Sequence, residues 1–169
     1  MENKKVVNIY AEICREGVLL PEYAHAFDAG MDICAACDID IFPGETELIP
    51  TGLKFAIPEG YEIQIRPRSG ISLNTPLRLP NAPGTIDAGY RDEICVIMSN
   101  TSPVQDSEKS VLLPLCSKGN IPGPYHISRG DRIAQMVLAE VPKTSFTLCE
   151  SISEIGNNRG GGFGSSGIK

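Results

Sequence analysis

Glycine and proline punctuate this chain at short intervals, and this spacing is the feature that most limits its fold. The chain has 17 glycines and 13 prolines in 169 residues, about 18%, compared with roughly 12% in an average protein. Both residue types set tight turns and end strands. Turns must therefore be frequent, and the elements between them must be short.

The runs between the turns have the patterns of β-strands. Tyr61, Ile63 and Ile65 alternate with polar residues, which predicts a half-buried strand. The runs at 94–98 and 133–141 are almost continuously apolar and predict strands buried on both faces. Further short runs lie at 6–10, 37–42, 45–49 and 53–57. No segment keeps a 3.6-residue period, so we predict an all-β barrel or sandwich with at most one short helix, between Ile71 and Leu77.

The length suits a single domain, which we place at residues 1–155. Residues 101–129 are polar and contain four prolines around an apolar island at 111–115, which predicts an excursion with at most one strand of its own. Residues 156–169 form a glycine-rich tail, and glycine loses the most backbone freedom on ordering. The tail is expected to be either a disordered terminus or a flexible lid.

Charge and hydropathy limit the partners. The net charge is −6 and no basic block occurs, which argues against general nucleic-acid binding. No apolar run approaches the length of a membrane span, and the first residues lack the apolar core of a secretory signal. We therefore expect a cytoplasmic protein that interacts with neither membrane nor nucleic acid.

The six cysteines are expected to be reduced thiols, since the chain is too long for a disulfide-stapled mini-domain. Cys34 and Cys37 form a single CxxC without a second pair at ligand spacing. A zinc or redox role and simple packing between strands both remain open for them, and packing is favoured.

The most distinctive segment is Asn81–Glu93, NAPGTIDAGYRDE. It places one carboxylate, Asp87, and one phenol, Tyr90, among proline and glycines. This pattern predicts a β-hairpin with the acid on one arm and the phenol near its tip. Such a hairpin would form a shallow, rigid pocket for a flat ligand.

Four other segments carry weaker signals. RPRSGIS (66–72) can wrap a phosphate with an arginine fork and backbone amides, or it is only a turn. AGMDICAA (29–36) contains Asp32, either a turn cap or a functional carboxylate. RGDRIAQMVL (129–138) contains Gln135, which either satisfies a backbone group or faces a ligand. The tail adds an arginine and an aromatic side chain, as a lid over a nucleotide requires.

Taken in chain order, 29–36, 66–72, 81–93, 129–138 and the tail, the five segments resemble the five motifs of the trimeric dUTP diphosphatase (dUTPase) family, over residues 29–167. The third and fifth are the specific ones. The resemblance implies a distorted jelly-roll subunit, a homotrimer whose active sites are each built from three chains, and Mg²⁺-assisted hydrolysis of dUTP to dUMP and pyrophosphate.

By matching position, the resemblance also implies roles for the third segment. Asp87 would activate the water that attacks the α-phosphorus. Asn81 and the backbone around Thr85 and Ile86 would read the uracil edge. Tyr90 would pack under the deoxyribose and exclude a 2′-hydroxyl.

Roles toward the phosphates follow in the same way from the other segments. Arg68, Ser69 and Gly70 would hold the phosphates, and Gln135 would lie near them and the attacking water. Asp32 would bind Mg²⁺ through water.

In the tail, Arg159 would reach the γ-phosphate, and Phe163, followed by Gly164, would close over the uracil. The chain departs from the family here, because Arg159 precedes Phe163 by four residues rather than five. It also departs at 101–129, which is longer than usual and is either a surface insertion or an added contact.

Two other functions stay open on sequence. A dCTP deaminase of the same fold would need a glutamate base, for which Glu93 is the nearby candidate. A nucleotide-binding module without activity is the other, although the presence of Asp87, Tyr90 and Phe163 argues against it.

Overall fold

Short antiparallel strands form nearly all of the regular structure in the computed structural model, which describes residues 6–104 and 111–157. The strands are β1 Tyr10–Ile13, β2 Met31–Cys34, β3 Ile39–Ile41, β4 Thr46–Pro50, β5 Leu53–Ala56, β6 Tyr61–Pro67, β7 Leu77–Arg78, β8 Gly84–Ile86, β9 Cys95–Asn100, β10 Leu113–Pro114, β11 Tyr125–Ile127 and β12 Arg132–Glu140. One α-helix, α1, spans Ser69–Asn74, and a 3₁₀ turn lies at Ile152–Glu154. The all-β prediction is confirmed.

The strands form four sheets in the described residues, with the orders β1-β5, β10-β11-β3, β2-β12-β6-β8 and β4-β9-β7. The four-stranded sheet matters most for function, because its strands β2, β6, β8 and β12 or the turns that follow them carry most of the predicted site residues. Of the strand pairs within 6–104 and 111–157, only β10–β11 is parallel. Among the described residues, no helix is long and apolar enough to cross a bilayer.

Isoleucine dominates the core, where it packs between the sheets. Fully buried examples are Ile33, Ile41, Ile49, Ile63 and Ile133. β-Branched side chains suit a pleated surface, because their restricted rotamers pack well between strands. The same cluster includes the aromatic ring of Tyr125, which is completely buried and donates its hydroxyl to the Ile121 carbonyl at 2.8 Å.

The predictions for three strands need correction. The first strand is Tyr10–Ile13 rather than 6–10, because pairing with β5 from Ala56 to Leu53 sets its limits. β9 and β12 are buried on one face only: Val96 and Met98 are buried in β9, while the residues between them are half-exposed. An antiparallel sheet can leave its second face uncovered within one chain.

The helix is confirmed but begins two residues before the predicted start and ends at Asn74. Its end has a local cause. Thr75 precedes Pro76, and a residue before proline is driven out of the helical region. Thr75 is accordingly extended, while its amide and its hydroxyl both donate to the Ile71 carbonyl.

The described part of the excursion at 101–129 contains two strands instead of at most one, and it joins the body of the fold. β11 pairs with β3, and Tyr125 and Ile127 are in the core. Asn100 connects the two parts. Its buried amide donates to the carbonyls of Ile41 and Gly123 at 2.9 and 2.8 Å, and its oxygen accepts from the Ser102 amide at 3.0 Å.

Replacing Asn100 with alanine should therefore destabilise the protein strongly. Two buried backbone groups, at Ile41 and Ser102, and the half-buried Gly123 carbonyl lose a partner, and each such loss costs about 1–3 kcal/mol. We expect a total of about 3 kcal/mol, measured by urea unfolding at fixed protein concentration. Thr46→Ala is the matched control, because it removes only an exposed bond to Ser99, the residue next to Asn100 on β9. Equal midpoints for both variants would contradict the bridging role of Asn100.

Candidate active site

A row of polar side chains crosses one face of the four-stranded sheet, which we call the polar face. Gln135 on β12 lies directly between Asp32 on β2 and Arg66 on β6. Gln64, two residues before Arg66, lies opposite Thr85 on β8. Directly paired residues project from the same face of a sheet. The fold therefore brings residues of the first four sequence segments, counted along the chain, onto one surface.

Asp32 is the centre of the densest cluster on this face. Arg68 binds it with a two-pronged contact, Nε to Oδ1 at 2.9 Å and Nη2 to Oδ2 at 3.2 Å. Gln135 Nε2 donates to Oδ1 at 3.3 Å, and Arg132 Nη1 lies 3.4 Å from Oδ2. Asp32 thus lies within a strand and binds side chains of this cluster, so the turn-cap alternative is wrong. Gln135 faces this cluster rather than a backbone group.

Arg132 is a member of the cluster that sequence reasoning missed. In a regular strand Arg132 and Gln135, three residues apart, would project from opposite faces. A β-bulge lies between Arg132 and Ala134 and adds one residue to β12. As a result Ile133 and Ala134 are both fully buried, and Arg132 returns to the face of Asp32. The available signal in the sequence was a pair of adjacent apolar residues, Ile133 and Ala134, directly after a charged one.

The turn Arg68–Gly70 begins helix α1 beside this cluster. Arg68 is half-buried, while Ser69 and Gly70 are exposed. A Cβ placed on Gly70 would meet no atom within 4 Å, so its backbone is open to a ligand. The structure therefore brings together three of the residues predicted to act on phosphates, Arg68, Asp32 and Gln135.

The segment Asn81–Glu93 is not a hydrogen-bonded hairpin, which corrects the sequence prediction. β8 pairs with β6, whereas the next strand, β9, pairs with β4 and β7 in another sheet. A β-turn lies between them, with the Tyr90 amide donating to the Asp87 carbonyl at 3.0 Å. Arg91 closes this turn by donating to the carbonyls of Ala88 and Tyr90. Asp87 is exposed at the start of the turn.

Gly84 shapes the entrance to the same segment. It is buried, and a Cβ at this position would lie 3.2 Å from Asn81 Nδ2 and 3.4 Å from the Ile65 side chain. Only glycine therefore lets the Asn81 amide lie directly against β8. Thr85 is exposed and Ile86 half-buried at the outer edge of the sheet. Tyr90 is the last residue of the turn and is 38% exposed, so part of its ring is free to contact a ligand.

Glu93 supports this turn rather than facing a ligand. Arg15 donates to both of its carboxylate oxygens, at 2.6 and 2.8 Å, and the Gly52 amide donates to Oε1 at 2.7 Å. The hydrogen bonds from Arg15 hold the pKa of the Glu93 carboxyl below its usual value. The Glu93 carbonyl in turn accepts from the Tyr90 hydroxyl at 3.0 Å. A carboxylate engaged in this way is a poor proton-shuttling base.

The two halves of the site lie at opposite edges of the sheet. Asp32 is on β2 and Asp87 follows β8, with β12 and β6 between them. Three strand spacings amount to about 14 Å. Among the described residues, no hydrogen bond or ion pair joins the Asp87–Tyr90 turn to the Asp32 cluster. One chain therefore presents two half-sites rather than a single assembled site.

Comparisons with known proteins identify the family of this chain. A family model for dUTPases matches residues 17–106. A deoxyuridine 5′-triphosphate nucleotidohydrolase of Roseobacter denitrificans is 43% identical over 162 residues, which cover 94% of this chain and 93% of that one. The chain belongs to the dUTPase family.

Solved dUTPases share its fold. A mutant dUTPase of Staphylococcus bacteriophage 80alpha, solved with dUpNHpp, has a TM-score of 0.85 and 27% identity, over 96% of this chain and 100% of that chain. A mutant dUTPase of phage phi11 of S. aureus, described with a structural Mg(II) ion, has a TM-score of 0.77 and 27% identity, over 86% and 99%. The jelly-roll-like dUTPase fold predicted from the sequence is confirmed.

The donors in this dUTPase chain suit a loosely held magnesium ion. No group of three or more His, Cys, Asp or Glu side chains placed to hold a metal occurs at 6–104 or 111–157. Asp32 is a single carboxylate whose oxygens already accept from Arg68 and Gln135. Magnesium commonly keeps several waters and takes one or two carboxylates plus phosphate oxygens. The residues therefore fit an ion that Asp32 contacts through water, once phosphate is present.

The remaining sequence expectations concern the tail and the cysteines. Arg159, Phe163 and Gly164 lie outside the described residues. All six cysteines are free thiols, and Cys34 is a half-buried residue of β2. The separation of the two half-sites had no signal in the sequence, since strand order depends on which segments pair.

The Glu93 interactions predict a pH-dependent stability in this dUTPase. Because the folded pKa of Glu93 is lowered, its contribution is fully present above the ordinary value of 4.5 and is lost as pH falls through the folded value. Glu93→Gln should lower stability at pH 7 by about 1 kcal/mol. In thermal unfolding, the melting temperatures of variant and wild type should converge at the acid end of the pH range.

The exposed Glu59 provides the matched control. Glu59→Gln should leave the unfolding profile unchanged at every pH. A Glu93→Gln variant as stable as wild type at pH 7 would show that the negative charge of Glu93 adds no stability to its bonds with Arg15 and Gly52.

Proposed function

We propose that this chain hydrolyses dUTP to dUMP and pyrophosphate through attack of water on the α-phosphorus. The observation that carries the proposal is the 43% identity, over nearly the whole of both chains, to a deoxyuridine 5′-triphosphate nucleotidohydrolase. Phosphoryl transfer depends mainly on positioning and charge neutralisation. It needs a placed water and cationic groups on the phosphates, and no covalent nucleophile.

Asp87 is the residue proposed to orient and activate the water. Its carboxylate is exposed, and it has no hydrogen-bond partner among the side chains and backbone groups described. A carboxylate without a partner is free to accept a hydrogen bond from water. Gln135 is proposed to assist near the phosphates, since its amide already lies in the Asp32–Arg68 cluster.

Base recognition is assigned to the edge strand β8. This strand pairs with β6 on one side only, so its outer side presents backbone groups with no strand partner in the described structure. Backbone groups at Thr85 and Ile86 and the amide of Asn81 are proposed to bind the uracil edge. Fixed donors and acceptors reject a base that leaves them unpaired. Tyr90 is proposed to pack against the deoxyribose.

Phosphate binding is assigned to Arg68, Ser69 and Gly70, because an arginine fork and open backbone amides suit phosphate oxygens. Asp32 would hold a magnesium ion through water, and the bound ion would neutralise phosphate charge. When phosphate arrives, Arg68 has to share its guanidinium between the phosphate and Asp32. We expect this exchange because the Arg68 and Asp32 side chains, 27% and 22% exposed, remain accessible.

A homotrimer with shared sites is proposed to unite the two half-sites. The separation of Asp87 from the Asp32 cluster across the sheet supports it. So does the segment at 141–157, whose apolar side chains are exposed in the single chain, with Phe146 at 92% and Leu148 at 99%. Large exposed apolar surfaces mark interaction sites. The 141–157 segment of one subunit is proposed to cover another subunit.

The tail at 156–169 is proposed as the lid of this shared site. Arg159 would bind the terminal phosphate, and Phe163 with Gly164 would close over the uracil. We also propose a cytoplasmic location, supported by the six free cysteines, which suit a reducing compartment. A dCTP deaminase is disfavoured, since Glu93 is committed to Arg15 and Gly52.

A panel of nucleotides tests the reaction and its specificity together. Pyrophosphate release measured with dUTP, dTTP, dCTP and UTP should favour dUTP by at least about 100-fold, because the wrong base or sugar leaves polar groups unpaired or clashes. Ammonia is measured in the same dCTP reaction. Release of ammonia from dCTP at a comparable rate would replace the proposal with a deaminase.

Asp87→Asn tests the water-activating role. We expect kcat for dUTP to fall at least about 1000-fold, within the usual range for a positioned base, while dUpNHpp binding by calorimetry changes little. Asp92→Asn, a neighbouring exposed acid, is the control and should keep normal turnover. Sedimentation should show three chains per particle for both variants. Near-normal turnover of Asp87→Asn would remove its catalytic assignment.

A further inference from the structure

The excursion places a turn beside the proposed phosphate-binding residues. A cavity of about 280 Å³ separates them. Its lining includes Arg68 and Gly70 at the start of α1, Ser117 and Lys118 of the excursion, and Asp131 and Arg132. Whole small-molecule sites usually enclose about 300–1,000 Å³. The size therefore suits one part of a nucleotide, such as its terminal phosphates.

The position of this turn is held by several bonds. The Ser117 amide donates to the Pro114 carbonyl at 2.9 Å, which closes the turn. The Asn120 amide donates to the Asn74 carbonyl at 2.7 Å, and the Asn74 side chain donates to the Gly70 carbonyl at 2.9 Å. Leu115 packs against the hydrophobic core. The excursion is thus fastened to the same helix, α1, that begins at the phosphate-binding turn.

The charges around the cavity leave one lysine without a counter-ion. Arg68 and Arg132 both contact Asp32. Asp131 accepts from the Ser128 amide at 2.9 Å. Lys118 is exposed, and within residues 6–104 and 111–157 it forms no ion pair or hydrogen bond. An ammonium group on a flexible stem binds phosphate as a point charge.

We propose that Lys118 is a phosphate-binding residue that the excursion adds to the site. It binds the terminal phosphates of the substrate, and then the pyrophosphate product, across the cavity from Arg68. The proposal rests on the dUTP-hydrolysing function proposed above. It assigns the excursion a role in the reaction rather than that of a surface insertion.

The test compares ligands that differ in their phosphates. Binding of inorganic pyrophosphate, dUpNHpp and dUMP is measured by calorimetry for wild type, Lys118→Ala and Lys118→Arg. We expect Lys118→Ala to weaken pyrophosphate and dUpNHpp binding about 10-fold and to leave dUMP unchanged. KM for dUTP should rise by a similar factor with kcat little altered, since Lys118 binds phosphates that leave together. Lys118→Arg should stay within about 3-fold of wild type, because it keeps the charge.

Lys54→Ala is the matched control, because Lys54 is ion-paired with Glu12 on the β1–β5 sheet and does not line the cavity. It removes one positive charge and should leave all three affinities unchanged. Raising the salt concentration should weaken pyrophosphate binding less steeply in Lys118→Ala than in wild type, since one fewer charge contacts the ligand.

The outcomes separate the two proposals. Wild-type affinity for pyrophosphate in Lys118→Ala, or an equal loss for dUMP, would overturn the assignment of Lys118. In either case normal dUTP hydrolysis by wild type would leave the proposed function intact. If wild type released no pyrophosphate from dUTP, the function itself would fail, whereas the direct pyrophosphate measurement would still report on Lys118.

Discussion

The ion pair between Asp32 and Arg68 connects the parts of the chain on which the phosphate half-site depends. Asp32 belongs to β2, Arg68 directly precedes helix α1, and the other two groups on Asp32 come from β12. A half-buried ion pair is worth little net stability by itself. Its geometric effect is larger, because the two-pronged contact sets the position of the arginine fork before any ligand arrives. A phosphate then meets a guanidinium that is already oriented.

That arrangement has a counterpart at the opposite edge of the same sheet. There the carboxylate of Asp87 is free of partners in the described structure, and the turn behind it is fixed by Arg91 and by the Glu93–Arg15 pair. The rigid parts of this half-site are thus the supporting residues, whereas the group proposed to act on water is left accessible. Two half-sites on opposite edges suit a symmetric assembly. Each copy can offer one edge to one neighbour and the other edge to the next.

The excursion shows how an added segment can become part of a site. Asn100 joins it to β3, Tyr125 anchors it in the core, and Asn120 ties it to helix α1. These contacts hold the turn at Leu115–Lys118 across a cavity from Arg68. A positive charge held there by main-chain bonds can contribute to phosphate binding even though most of the described part of the excursion is exposed.

The sequence alone determined the all-β class, the short helix, the limits of several strands and the five segments that carry the family resemblance. These properties depend on local rules: turn residues, period-two alternation and motif order. They singled out Asp32, Arg68, Gln135 and Asp87 as candidates, of which the first three meet in one cluster. They were wrong about the hairpin at Asn81–Glu93, because whether two neighbouring strands pair depends on competition from distant strands such as β6 and β4.

Only the tertiary structure decided which candidates meet. Arg132 joined the Asp32 cluster through a bulge that reverses strand parity, and one inserted residue cannot be read from alternation. Glu93, a candidate base in sequence, was taken up by Arg15, 78 positions away. Lys118 gained a place opposite Arg68 because the excursion folds back onto α1. In each case the deciding contact joins residues far apart in the chain, and such contacts are set by the packing of whole elements rather than by local sequence.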